Sequence, residues 1–165
     1  MKLKILDKYN DQYNLQKVLE GAPKYSLNIS GKLQDKSAAV DIFNAKPDQF
    51  DYSKKFVLGI YINDELIGVI DLLKGFPDNE TIMLGLLLLV ENRQGQGLGK
   101  KSFNELLIFL KQWPEIKKIR ISVVLTNSEV LEFWKKLGFT EIGVHRPYQN
   151  GRIISETTVL EMLLK

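Results

Sequence analysis

The segment Gln94-Gly95-Gln96-Gly97-Leu98-Gly99-Lys100 is the part of this 165-residue chain whose composition is best suited to chemistry. Glycines alternate at 95, 97 and 99, so the backbone can turn sharply there and let a ligand come close. An amphipathic run begins at Leu98, and the first amides of a helix have no internal partners. Together with the helix dipole they form a site for a phosphate or pyrophosphate, and Lys100 and Lys101 add positive charge beside it. Two familiar phosphate loops do not match. A P-loop needs glycine at 94 and serine or threonine at 101, where Gln94 and Lys101 stand. A dinucleotide fingerprint begun at Gly95 meets Lys100 where a small residue is needed, and begun at Gly97 it meets Ser102.

Composition removes other chemistries. With no cysteine there is no disulfide, thiolate metal site or cysteine nucleophile, and the single histidine, His145, cannot build a multi-histidine metal site. No metal is expected. The net charge of +3, from 23 basic and 20 acidic residues, does not argue for nucleic acid but suits one polyanionic small molecule. The longest apolar stretch, Ile82 to Val90, is far short of the roughly 20 residues of a membrane helix. Met1 to Asp7 has too short an apolar run for a signal peptide. A cytoplasmic protein with no membrane partner is expected. The length suits one domain over 1–165.

The elements that must position the loop follow from periodicity. Lys2 to Leu6 reads as an edge strand and Asn10 to Glu20 as a helix stopped by Gly21-Ala22-Pro23. Leu27 to Gly31 reads as irregular, and Asp35 or Ser37 caps a second helix that runs to about Ala45. Lys55 to Ile62 and Leu66 to Leu73 form a hairpin across Asn63-Asp64-Glu65. Thr81 to Val90 is nearly all apolar and belongs in mid-sheet, covered on both faces. The helix after the glycine loop runs from Leu98 to Gln112, before Pro114. Ile119 to Leu125 is a strand, and a helix starting at Thr126-Asn127-Ser128 ends at Gly138. Phe139 to Val144 and Ile153 to Leu164 close the sheet across Gln149-Asn150-Gly151. This order gives a mixed sheet with helices on both faces.

Gln94-x-x-Gly97-x-Gly99 resembles the signature loop of the GNAT N-acetyltransferase superfamily. The preceding strand, Leu86 to Val90, resembles that family's fourth strand, and Asn127 to Phe139, ending Leu137-Gly138-Phe139, resembles its second major motif. The resemblance runs clearly from about Phe56 to Phe139. It implies an α+β fold in α/β/α layers, with a mostly antiparallel sheet of about seven strands splayed between strands 4 and 5. It implies acetyl-CoA as cosubstrate, direct transfer to a primary amine in a ternary complex, and a small-molecule or peptide acceptor. A monomer or a homodimer is compatible with it.

The resemblance also implies roles. Gln94, Gly95, Gln96, Gly97, Leu98, Gly99 and Lys100 hold the coenzyme's pyrophosphate, the backbone of Leu87, Leu88 and Leu89 pairs with its pantetheine, and Asn127 and Trp134 lie against that arm. Asn127 reads equally as a helix N-cap. An amine with a pKa of about 10.4 must lose a proton before it attacks. Glu80 and Asp71 are candidate bases acting through water; otherwise Glu80 is a solvated strand end and Asp71 faces solvent. The family's usual acid is a tyrosine four residues before the Gly-Phe glycine, where this chain has Trp134. An indole does not protonate a thiolate, so Trp134 reads as a packing residue. The thiolate then leaves alone or takes a proton from water; alternatively Tyr148 supplies one. His145 reads as a surface histidine, and Tyr25, Phe76 and Tyr148 as candidates to line the acceptor side. The competing function is a non-catalytic acyl-CoA sensor.

Overall fold

The computed structural model describes residues 1 to 165. Its elements are β1 (Lys2–Ile5), α1 (Gln12–Glu20), α2 (Pro23–Ser30), α3 (Ala38–Asn44), β2 (Lys55–Ile62) and β3 (Glu65–Lys74), then β4 (Thr81–Leu89), α4 (Leu98–Leu110), β5 (Lys118–Val124), α5 (Leu131–Lys136), β6 (Thr140–Asn150) and β7 (Ile153–Leu163). Short 3₁₀ turns over Tyr52–Lys54, Glu91–Arg93 and Leu125–Val130 lead into β2, the glycine loop and α5.

Seven strands form one sheet in the order β1-β2-β3-β4-β5-β7-β6. Only β4 and β5 run parallel, and they pair only at Thr81↔Lys118, Ile82↔Ile119 and Met83↔Arg120. Past Met83 they part, and β5 continues to Val124 paired with β7 alone. The sheet therefore opens as a V between strands 4 and 5, as the resemblance implies.

The hydrophobic core lies on both faces of the sheet. Phe103, Leu106 and Leu110 of α4 and Trp134 of α5 pack with Leu58, Ile70, Ile82 and Ile121. Leu15 and Leu19 of α1 and Phe43 of α3 pack with Val57, Val69 and Leu88 on the other face. A bulge lets β4 serve both. The β3 register steps from Asp71↔Leu86 to Leu72↔Leu84, leaving Gly85 as the extra residue. Ile82 and Leu84 accordingly join the α4 side, and Leu86 and Leu88 the α1 side.

Three sequence expectations change. Leu27 to Ser30, read as irregular, belong to α2: Pro23, read as a stop, occupies its first turn, where its missing N–H costs nothing, and Gly31 closes the helix at φ 69°. The helix expected from Thr126 begins as a 3₁₀ segment, and Asn127 inside it has φ −112° and ψ 29° without a side-chain cap bond. The Asn127 N-cap reading is thereby replaced. Finally, β6 extends to Asn150, and the hairpin turns at Gly151-Arg152 because Asn150 still pairs with Ile153. Pro147 is tolerated in β6 because this is an edge strand.

Candidate active site

A cleft of about 560 Å³ occupies the V. Its floor is β4 from Leu84 to Leu89, so the predicted Leu87, Leu88 and Leu89 all line it, and beyond Met83 the β4 backbone edge has no partner on β5. Residues from β5 and α5 form one wall, Tyr25 and Asn28 of α2 the other, and the glycine loop closes one end.

The loop has the backbone that its glycines require. Gly95 and Gly97 are left-handed, at φ 72° and 74°, and no atom lies within 4 Å of where a Cβ would stand on either. The first bond of α4 runs from the Lys101 amide to the Gly97 carbonyl, so the amides from Gly95 to Lys100 make no bond within the protein. Such a run of free amides at a helix start fits a pyrophosphate. Gln94 is an anchor: its side-chain amide donates to the Leu89 carbonyl at 2.8 Å and ties the loop to the end of β4. Gln96 folds back to donate to the Asn92 carbonyl at 2.9 Å. Gly99 serves packing, since a Cβ there would sit 3.3 Å from the Phe133 ring. Lys100 reaches the cleft, whereas Gln96 and Leu98 are not part of its lining.

Trp134 is buried, with ring centroids 5.0 Å from Phe133, 5.3 Å from Phe139 and 6.1 Å from Phe103. It is a packing residue whose edge borders the cleft. Asn127 also faces the cleft, and its Oδ1 accepts from Asn28 Nδ2 at 3.0 Å. Thr126 Oγ1 donates to the Asn28 carbonyl at 2.7 Å, and Lys24 pairs with Glu129 at 3.1 Å. These contacts tie α2 across the cleft to the 3₁₀ segment.

None of the three expected proton carriers, Glu80, Asp71 and Tyr148, is part of the cleft lining. Glu80 is exposed just before β4, where its carbonyl accepts the amides of Lys117 and Lys118. About 30 Å of strand separates it from the loop. Tyr148, on β6, donates its hydroxyl to the Ile29 carbonyl at 2.8 Å and accepts from Asn150. Its proton is committed to anchoring α2. His145 is exposed on the same edge strand, and Phe76 packs edge-on against Phe50, outside the cleft.

Asp71 neither faces solvent nor stands alone. Its Oδ1 accepts from Lys55 Nζ at 2.6 Å, with side-chain exposures of 13% for Asp71 and 1% for Lys55. Burial pushes the Asp71 carboxyl above the usual carboxylate range, while Lys55 and the Leu72 amide pull the other way. Tyr25, half-buried in the α2 wall, has its phenol pushed far up by burial, with Tyr148 and Asp71 adding to the effect. Sequence reasoning missed Lys55, Lys24, Asn28 and Glu129. The only signal for the buried pair was a lone aspartate inside the apolar run Leu66 to Leu73.

A wider, shallower groove of about 870 Å³ lies between α1 and the β2–β3 turn. Of its lining carboxylates, Asp64 pairs with Lys2 and Glu65 with Arg93, while Glu91 accepts the Lys24 backbone amide at 3.3 Å. No helix is long and apolar enough to cross a membrane.

The model of the acetyltransferase (GNAT) family matches residues 28–139. The spermine/spermidine N(1)-acetyltransferase of Bacillus subtilis (strain 168) is 26% identical, over 69% of this chain and 88% of its own length. An acetyltransferase from Thermus thermophilus has the same fold at a TM-score of 0.75 and 22% identity, covering 99% of this chain and 98% of its own. So does the spermidine N-acetyltransferase from Vibrio cholerae, solved with CoA and spermine: TM-score 0.74, 13% identity, 98% and 94% covered.

Proposed function

The chain belongs to the acetyltransferase (GNAT) family, and from that premise we propose that it transfers the acetyl group of acetyl-CoA to a primary amine. Acetyl-CoA supplies an activated acetyl thioester. The free amides from Gly95 to Lys100 bind its pyrophosphate, and the Lys100 side chain adds charge. The open backbone edge at Leu87 to Leu89 orients the pantetheine arm, with Asn127 and Trp134 along the facing wall. A β4 amide aimed at the thioester oxygen stabilises the charge that develops there. The amine enters from the α2 side past Tyr25, and transfer is direct, from the thioester to the amine. Holding both reactants in one cleft supplies much of the rate. The thiol leaves without a protein acid, since Trp134 is a packing residue and the Tyr148 proton is engaged by Ile29.

The observation that carries this reading is continuity: one cleft runs from the unpaired β4 edge to the run of unpaired amides. We take 1–165 as one cytoplasmic acetyltransferase domain, monomeric or homodimeric, acting without nucleic acid or membrane. The acceptor is the primary amine of a small molecule or peptide. The Bacillus relative, named for spermine and spermidine, puts polyamines first on the panel. The test is free-thiol release from acetyl-CoA with spermidine, tyramine and a peptide bearing an N-terminal alanine. Amine-dependent release in any arm supports the proposal. Binding of acetyl-CoA without release in every arm returns the chain to the sensor reading.

A further inference from the structure

Asp71 and Lys55 form a buried ion pair on the face of the sheet that α1 and α3 cover, and nothing in the fold requires it there. Val57 and Val69 flank it on the same strands and are fully apolar. Taking two charges out of water is costly, and well-packed apolar residues would serve the core as well. What distinguishes Asp71 is its second oxygen. Lys55 holds Oδ1, whereas Oδ2 lies 3.4 Å from the point where a Cβ on Gly85 would stand. Gly85 is the bulge residue of β4, exposed in the cleft floor. The missing side chain leaves a gap at Gly85, a window behind which Oδ2 sits; Asp71 itself is not among the residues that line the cleft. Tyr25, which also lines the cleft, lies close enough for the Asp71 charge to raise its proton affinity. The groups facing the carboxylate are therefore Lys55 from β2, the Leu72 amide of its own strand, and the Tyr25 phenol from α2; at this point β4 offers only Gly85 and Leu86.

We propose that Asp71 is the residue that deprotonates the incoming amine, reached through the window at Gly85, with Lys55 as the positioning residue that fixes its other oxygen. This rests on the reading of the chain as an N-acetyltransferase. The acceptor enters as R–NH₃⁺ and gives one proton to Asp71 Oδ2. The freed nitrogen lone pair forms the N–C bond to the acetyl carbon as the C–S bond breaks. The second nitrogen proton leaves with the sulfur as free thiol, and Asp71 passes its own proton to water. One ammonium and one thioester thus give one amide, one thiol and one proton. Burial matches the group to this task, because a carboxyl with raised proton affinity is a stronger base.

The experiment uses the full chain, acetyl-CoA and spermidine, or whichever panel amine the wild type turns over, and measures kcat and KM across pH. D71N keeps an oxygen for Lys55. It is expected to lower kcat/KM by about 100-fold or more while leaving acetyl-CoA affinity by calorimetry within threefold. The acid limb of the wild-type profile should vanish with it. K55Q removes the cation that holds the Asp71 proton affinity down, so its acid limb should move to higher pH. G85A leaves the ion pair intact and covers Oδ2 with a methyl group; it carries the test if D71N does not fold. A fall in kcat/KM of about tenfold at an unchanged melting temperature is expected. D71N or G85A within twofold of wild type, or a K55Q limb that stays in place, overturns the proposal alone. A wild type that acetylates no amine overturns the acetyltransferase reading and this proposal with it.

Discussion

Gly97 holds a left-handed backbone at φ 74° with no atom within 4 Å of where a Cβ would stand. The effect of Gly97→Val should therefore be of two separable kinds. Left-handed geometry costs a β-branched residue about 1–3 kcal/mol, a modest loss of stability. The side chain also projects into the space beside the free amides, where the proposed pyrophosphate would sit. We expect acetyl-CoA affinity by calorimetry to fall at least tenfold while the protein still unfolds cooperatively; unchanged affinity removes the loop from the coenzyme site. This loop was legible in the sequence because its chemistry is local: alternating glycines and a helix start need only neighbours along the chain. Asp71 was not. Its partner Lys55 is 16 residues away, and only the β2–β3 register, in which Lys55 faces Leu73, brings the two side chains together. Glu80 misled for the mirror reason. A strand-start acid looks close to the site in sequence, but it stands at the far end of a nine-residue strand from the loop.

At the level of elements, α2 decides how the cleft is walled. Its sequence carries no long apolar stripe; its buried positions are Ser26 and Ser30, and Pro23 resembled a terminator. The hydrophobic periodicity that revealed α4 and β4 was absent, and the helix is held by polar contacts instead. Ser30 and Ser26 bond within the segment, Tyr148 reaches the Ile29 carbonyl, and Asn28 and Lys24 cross to Asn127 and Glu129. The Lys24–Glu129 pair is mostly exposed and contributes little to stability. Asn28 is the better lever. Asn28→Ala removes two side-chain bonds across the cleft, to Asn127 Oδ1 at 3.0 Å and to Glu129 Oε1 at 3.4 Å, each about 0.5–1.5 kcal/mol, and loosens the helix that carries Tyr25. The expected result is an amine KM raised by roughly two- to tenfold, with the melting temperature nearly unchanged. Steady-state kinetics at saturating acetyl-CoA measures this. A fall in kcat with unchanged KM would mean that α2 acts on the reaction rather than on acceptor binding.

Over the whole molecule, stability against acid is set by carboxylates whose proton affinities are shifted in opposite directions. Asp51, Asp64, Asp78, Glu115 and Glu141 all titrate below their ordinary values, chiefly through side-chain bonds to Ser53, Lys2, Thr81, Lys74 and Lys135 respectively. Each contributes stability that is present above the unfolded carboxylate pKa, near 4, and is lost as pH falls through the folded value. They sit at separate points: before β2, on the β2–β3 turn, before β4, before β5 and on β6. No one element therefore bears the loss. Asp71 runs the other way. Its folded pKa is raised, so the stability tied to its protonation is present at low pH and is lost as pH rises through that raised value. Five groups against one predicts a melting temperature that is level from about pH 8 to 6 and falls below about pH 5. Scanning calorimetry in low and high salt checks this, since roughly 1 M salt screens exposed pairs over about 3 Å and should shrink the fall. In D71N the opposing contribution is gone, so the fall on acidification should steepen relative to wild type. A melting temperature that rises between pH 6 and 4 would mean that the single buried carboxylate outweighs the five at the surface, because protonating it removes a charge the interior holds at a cost.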